Sequence, residues 1–366
     1  DVYAEKGPEW LREEEVAADG DKHRVLFDPL GVILSIMPWN FPFWQALRFG
    51  IPTVLAGNAS VLKHASNVPQ CARAIEEVFR DAGFPENLFR TIFADHETVG
   101  RLIESPLVPG VSLTGSTEAG RRIARAAGAN LKKVVLELGG SDPFIVLEDA
   151  DVDFAAENAV VGRTINTGQS CIAAKRFIVV APLADAFTKA MTERMTERIV
   201  GDPMDEATQI GPIVDEKSLQ DLLDQLERSV AEGAEIISGG QRLRRDGFYL
   251  APTVVRAVND RMPVVREEVF GPIAPILVVA DEDEAVRVAN DSVFGLGGSV
   301  WTRDLARGEQ VARRLETGAA FVNSIVKSDP RMPFGGVKES GLGRELSKYG
   351  LREFVNIKGL NVYQSR

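Results

Sequence analysis

The sequence predicts an α/β protein built from two parallel-sheet domains. Three observations carry this. Short apolar segments alternate with helical patterns along the chain, which is the signature of βαβ units. The alternation runs twice, up to Leu138 and again after Gly139-Gly140. In the first series, unusual polar or glycine residues (Asn40, Lys63, Gly115 and Glu137) fall at strand ends, where such sheets bind ligands.

Taken in order, residues 3–17 read as an acidic helix. Residues 23–27 and 30–37 read as strands separated by the turn signal Asp28-Pro29. The second strand runs into Pro38-Trp39-Asn40-Phe41-Pro42, whose two prolines stiffen the backbone around Asn40. Residues 43–56 read as a helix interrupted at Pro52, and 59–63 as a short strand. A helix over 69–82 has proline near its start and Gly83 just past its end. Strands at 88–93, 110–114 and 133–138 alternate with helices at 95–104 and 116–127. The second series predicts strands at 143–147, 176–180, 253–258, 275–280, 296–301 and 318–323. Its helices are expected at 151–164, 183–199, 215–231, 282–290 and 303–316. The helix over 215–231 is amphipathic, with Leu219, Leu222, Leu223, Leu226 and Val230 on one face. A glycine-rich loop occupies 333–344, and 354–362 reads as a final strand. The expected domains are 1–138, 139–338 and a return segment over 339–366.

With 366 residues there is ample chain for two or three domains. A formal net charge of -11 argues against non-specific binding to nucleic acid or an anionic membrane, both of which need positive surface. The longest apolar stretches, such as 30–37, are too short to span a bilayer. Two distant cysteines, Cys71 and Cys171, make no disulfide framework, so a reducing compartment is expected. The N-terminus lacks signal-peptide features, and a cytoplasmic location is the expectation. The chain opens without Met inside a helical pattern, as a fragment would.

Cys171 ends the polar, glycine-bearing segment Asn166-Thr167-Gly168-Gln169-Ser170, a turn able to present a side chain to a ligand. Free cysteine is also a small buried hydrophobe, so the hexapeptide alone leaves nucleophile and core filler both open. Cys71 lies in an amphipathic helical pattern and reads as structural. Gly115-Ser116-Thr117-Glu118-Ala119-Gly120 is neither a P-loop nor G-x-G-x-x-G. It does follow a strand and open a helix, where backbone N–H groups can face a phosphate. Three scattered histidines, His23, His64 and His96, show no zinc-ligand spacing. Glu137 closes an apolar strand and is either a solvated charge or a buried one with a raised pKa.

Together these residues resemble the aldehyde dehydrogenase superfamily across essentially the whole chain. The motifs, in order, are PWNFP at 38–42, GSTEAG at 115–120, LELGG at 136–140, NTGQSC at 166–171, EEVFGP at 267–272 and PFGGVKESGLGRE at 333–345. The resemblance implies two Rossmann-like domains, for cofactor and catalysis, plus a β-stranded oligomerisation arm. It implies Cys171 as nucleophile, Asn40 as oxyanion donor and Glu137 as general base. It puts Lys63 at the adenosine ribose, and Gly115, Ser116 and Gly120 near the pyrophosphate. Glu268 and Phe270 would hold the nicotinamide ribose and ring, with Ile36, Pro38, Trp39, His64, Ser66, Leu138 and Gly139 also along the cofactor. A thiolate adds to the aldehyde, hydride leaves to the nicotinamide, and the thioester is hydrolysed by a Glu137-activated water. A relative that passes its acyl group to coenzyme A would not need that base.

In finer detail the chain is similar to the bacterial succinate-semialdehyde branch that accepts either NAD or NADP. That likeness implies Arg48 and Ser328 at the substrate's far carboxylate, with Trp44 lining the site. Ile165 replaces a second arginine of other branches, for which Arg163 or Arg331 would compensate, and Phe49 stands where a lysine is usual. Ser66 replaces the glutamate of strict NAD enzymes, which implies use of NADP, with Lys63 and His64 near its 2′-phosphate. The family carries a further helical segment before residue 1. Residues 22–28 and 354–363 match the arm that pairs between subunits, so a homodimer or homotetramer is expected. The alternatives are the same chemistry on another semialdehyde or a neutral aldehyde, and a catalytically silent structural relative.

Overall fold

The structure is a computed structural model and describes residues 1–365. The chain forms two compact units. The first holds residues 1–138, Ser328–Gly335 and the chain from Gly341 on; the second holds Gly139–Lys327 and Gly336–Ser340. Residues 328–335, expected with the second domain, therefore belong to the first. A backbone pairing of Phe334 with Glu345 secures them there.

The sheet of the first unit has the strand order Gly341–Leu342, Lys133–Glu137, Gly110–Thr114, Val32–Met37, Ala59–His64, Phe89–Ile92. All neighbours are parallel except Gly341–Leu342. The strand Gly110–Thr114 is buried at every residue, as parallel strands covered on both faces are. Chain order reverses between Val32–Met37 and Gly110–Thr114. The crevice at such a switch point opens beyond the carboxyl ends, here onto Pro38-Trp39-Asn40 and Gly115-Ser116. Helices Pro42–Leu55, Pro69–Asp81, His96–Glu104 and Thr117–Ala129 join the strands. Phe79 stacks on Phe89 with ring centroids 4.4 Å apart in its core.

A separate antiparallel sheet of this unit joins Glu14–Glu15, Lys22–Pro29 and Val355–Val362, with Pro29 opposite Val355 and Lys22 opposite Val362. The helix expected over 3–17 stops at Trp10. The Trp10 carbonyl accepts from Arg352 Nε, and Glu13 and Glu14 pair with Arg24 and Arg352. The segment runs extended where Glu14–Glu15 pairs antiparallel with Lys22–Pro29, Glu14 opposite Val25 and Glu15 opposite Arg24.

The second unit's sheet has the order Glu235–Ser238, Thr253–Ala257, Ile273–Val279, Ala174–Val180, Asp142–Val146, Gly297–Trp301, Ala319–Val322. Only the edge strand Glu235–Ser238, which the sequence pattern misses, is antiparallel. The short helix Pro263–Arg266 is likewise unanticipated by the pattern. Helix Glu216–Ala231 starts at Asp215, whose carboxylate accepts from Ser218 N–H. It buries Leu219, Leu222 and Leu226, whereas Leu223 is half-buried and Val230 exposed, so its apolar face is narrower than the sequence implies. Phe144 stacks on Trp301 at 4.6 Å in this core. No helix among the described residues is long and apolar enough to cross a membrane.

Candidate active site

In the second unit, three loops enter the amino ends of three adjacent central strands. Gly139-Gly140 precedes Asp142–Val146, Cys171 precedes Ala174–Val180, and Glu268 and Phe270 precede Ile273–Val279. The loop before Cys171 is strained. Asn166, Thr167 and Gly168 all have positive φ (50°, 60° and 75°), a conformation costly for a β-branched threonine. A Cβ at residue 168 would sit 2.5 Å from the Gly271 carbonyl, so only glycine fits. Hydrogen bonds hold the strain in place. Gly211 N–H donates to Thr167 Oγ1 at 3.0 Å, Val214 N–H to Gln169 Oε1 at 2.9 Å, and Gln169 Nε2 to the Pro212 carbonyl at 3.2 Å. The Cys171 thiol is half-buried and in no disulfide.

Arg163, expected as a substitute carboxylate binder, is fully buried beneath this turn. Its Nη2 donates to the carbonyls of Gly168 at 2.8 Å and Val269 at 3.3 Å, so it props the nucleophile loop and does not face substrate. Glu267 and Glu268 divide their work. Glu267 pairs with Arg228 and accepts from Gln225, which pins the loop. Glu268 Oε1 accepts from Gly140 N–H at 3.0 Å and Lys175 Nζ at 3.1 Å. A Cβ at Gly139 would lie 2.4 Å from Glu268 Oε2, so the glycine clears that carboxylate.

In the first unit, Glu137 ends its strand 2% exposed, and neither carboxylate oxygen has a hydrogen-bond partner among the described residues. Burial pushes its pKa well above the ordinary carboxylate range. The Glu345 carboxylate adds to the rise, and Arg48 and Arg344 oppose it. A Cβ at Gly335 would sit 2.6 Å from Glu137 Oε1, so glycine leaves space at that oxygen. The solvated alternative for Glu137 is thereby removed.

Arg48, expected at the substrate carboxylate, is buried and ion-paired with buried Glu345. Its guanidinium lies 4.4 Å from the Phe334 ring centroid. A guanidinium so engaged is an internal counter-charge and is not available as a substrate clamp. Arg48→Ala is therefore expected to cost about 3–5 kcal/mol of stability by orphaning Glu345, which a denaturant melt would measure. Loss of activity should then be equal for charged and neutral aldehydes.

Asn40 accepts from Gln45 Nε2 through Oδ1 at 3.2 Å, which fixes the amide so that Nδ2 points the other way. His64 is also corrected. It is buried, Nδ1 accepts from Ala65 N–H at 2.9 Å, and Nε2 donates to the Pro42 carbonyl at 3.0 Å. Burial lowers its pKa, so it is neutral and braces the Pro38–Pro42 loop; it does not meet a phosphate.

A cavity of about 330 Å³ opens beside the switch point, lined by Ile36, Lys63, Leu113, Ser116, Ala119 and Ile123, and also by His96, Val99 and Ile103. Ser116 caps the adjoining helix by accepting from Ala119 N–H at 3.2 Å, and Gly120 lets that helix approach Leu138. The apolar walls suit an adenine, Lys63 a ribose or phosphate, and the helix N-terminus a pyrophosphate, so the residues fit a dinucleotide. Glu118 also lines the cavity, but Arg122 pairs with it and offsets its charge. Ser66 is exposed. His96, Val99 and Ile103 were not among the expected cofactor contacts, although 99 and 103 are spaced one helical turn apart.

Trp44 Nε1 donates to Ser328 Oγ at 3.0 Å, so these two expected substrate residues do come together. Arg331 is exposed and its Nε donates to Asp329 Oδ1 at 2.8 Å.

Residues 1–360 match the family model described as the aldehyde dehydrogenase family. A probable succinate-semialdehyde dehydrogenase [NADP(+)] of Synechocystis is 49% identical over 356 residues, covering 97% of this chain and 78% of that one. The succinate semialdehyde dehydrogenase [NAD(P)+] Sad of Escherichia coli is 46% identical over 358 residues, covering 98% and 78%. The crystal structure of succinic semialdehyde dehydrogenase from Streptococcus pyogenes with NADP+ matches with a TM-score of 0.97 and 39% identity, covering 100% of this chain and 80% of that one. With six motifs in order, two parallel sheets and relatives at this identity, the chain belongs to the aldehyde dehydrogenase family.

Proposed function

We propose that this enzyme oxidises succinate semialdehyde to succinate through a thioester on Cys171, with NADP or NAD as oxidant. The observation that carries the chemistry is the strained, clamped turn holding Cys171 half-buried. The Cys171 thiolate adds to the aldehyde carbon and places negative charge on the carbonyl oxygen. Asn40 Nδ2–H and the Cys171 backbone N–H are the proposed donors to that oxyanion, worth about 3–4 kcal/mol each. Bound NADP or NAD supplies the two-electron oxidation by taking up the hydride. Glu137, ionised, then removes a proton from the water that attacks the thioester, and the thiolate leaves. Supporting the substrate are the names of the relatives and the pairing of Trp44 with Ser328. Arg331 is the remaining candidate for the far carboxylate, and Asp329 must yield it.

That competition from Asp329 favours a second reading, the same chemistry on a neutral aldehyde. An NAD(P)H absorbance assay over an aldehyde panel decides. Arg331→Ala should raise KM for succinate semialdehyde about tenfold and leave KM for butanal unchanged. Equal effects on both substrates, or no turnover of the semialdehyde, would favour the neutral aldehyde. With Ser66 in place of an acidic residue, kcat/KM with NADP should at least equal that with NAD; a strong preference for NAD contradicts the cofactor assignment. The same reading places the enzyme in the cytoplasm as a homodimer or homotetramer. Supporting the assembly, strand Val355–Val362 is an outer strand with Ile357, Leu360 and Val362 exposed.

A further inference from the structure

Lys175 takes no part in the chemistry above, yet it is one of the most buried side chains in the protein, at 1% exposure. An ammonium carries three N–H donors, and burying it is costly unless they are met. Here they are. Nζ donates to the Cys171 carbonyl at 2.7 Å, the Ser170 carbonyl at 2.9 Å and Glu268 Oε1 at 3.1 Å. Its Nζ also lies 5.9 Å from the Phe270 ring centroid. Buried Asp142 supplies a second negative neighbour and is fixed by Gly297 N–H at 3.0 Å. One cation thus grips the two carbonyls that flank the nucleophile and, on its other side, the carboxylate assigned to the nicotinamide ribose. Lys175 lies in the strand Ala174–Val180, just past Cys171, and its side chain is buried.

We propose that Lys175 is a positioning residue that couples occupancy of the nicotinamide-ribose site to the backbone of Cys171. A ribose hydroxyl that hydrogen-bonds Glu268 draws on the carboxylate Lys175 holds, and the ammonium transmits the change to the Ser170 and Cys171 carbonyls. The proposal rests on the dehydrogenase reading for the role of Glu268 and goes beyond it in making the ribose, not only the nicotinamide ring, a determinant of the nucleophile's state.

The test uses the full chain and follows iodoacetamide alkylation of Cys171 by the mass of its tryptic peptide, which separates it from Cys71. The probes are ADP-ribose, which carries that ribose but no nicotinamide ring to shield the thiol, and ADP, which lacks the ribose; titration establishes saturation with each. In the wild type, ADP-ribose should change the alkylation rate by about fivefold, and ADP should not. In Lys175→Met and in Glu268→Ala the ADP-ribose effect should vanish while each folded variant still binds the probe. Glu268→Ala leaves both carbonyl bonds of Lys175 in place, so it decides the matter if Lys175→Met fails to fold. ADP-ribose bound without effect in the wild type, or an effect that survives in a folded variant, overturns the proposal alone. A wild type that binds neither ADP-ribose nor NADP overturns the dehydrogenase reading with it.

Discussion

Replacing Cys171 with alanine should lower aldehyde-dependent NADPH formation by at least about a thousandfold, equivalent to about 4 kcal/mol of lost transition-state stabilisation. The second cysteine of the sequence, Cys71, lies within the helix Pro69–Asp81 and outside all six motifs. The protein should nevertheless fold. The turn is held by Thr167, Gln169 and the buried Arg163, and alanine removes one half-buried atom. The check is an NADPH absorbance assay beside a thermal melt. Turnover within tenfold of wild type would dismiss the thiol mechanism.

Glu137→Gln should have the second-largest effect, and its signature is different. Thiolate attack and hydride departure do not need the base, so a first burst of NADPH should persist. The following steady state should fall by about 10²–10⁴-fold, because water no longer has a proton acceptor. The pH profile gives a further sign. Glu137 acts as a carboxylate and its pKa is held well above the ordinary range, so wild-type steady-state turnover should climb with pH to a raised apparent pKa. Glu137 and Glu345 titrate as an interacting pair, and that apparent value belongs to both. Glu137→Gln should lose this limb.

Stability should move the opposite way. A native pKa raised above the unfolded value contributes stability that is complete below the unfolded pKa and is lost as pH rises through the native one. The wild type should therefore lose stability with rising pH across that window. Glu137→Gln should lose less, because glutamine does not ionise. Its gain on the wild type should approach about 1.4 kcal/mol for each pH unit separating the native from the unfolded pKa, readable from urea melts at several pH values.

Much of this was legible in the sequence because parallel strands buried on both faces leave continuous apolar runs. Gly110–Thr114 and Asp142–Val146 are buried throughout, and the sequence pattern places both to within a residue or two. Two peripheral elements were not legible. Glu235–Ser238 is half exposed, and the acidic run after Trp10 pairs as a two-residue strand with Lys22–Pro29, where its helical pattern predicts a helix. The motif residues Asn40, Glu137 and Cys171 stand where their loops and strands put them. What sequence spacing could not reveal was where each cation's partner lies. Arg48 meets Glu345 from the far end of the chain, Arg163 folds back onto the carbonyl of Gly168, and His64 spends both nitrogens on backbone. Lys175 leaves no sequence signal because two of its three acceptors are backbone carbonyls, which every residue possesses.

The most direct test of the proposed chemistry is mass spectrometry of Glu137→Gln quenched with acid after mixing with succinate semialdehyde and NADP. The expected result is a succinyl group on the tryptic peptide containing Cys171, appearing in step with the NADPH burst and absent in Cys171→Ala. A burst with no adduct on that peptide, or an adduct on another residue, would contradict a Cys171 thioester.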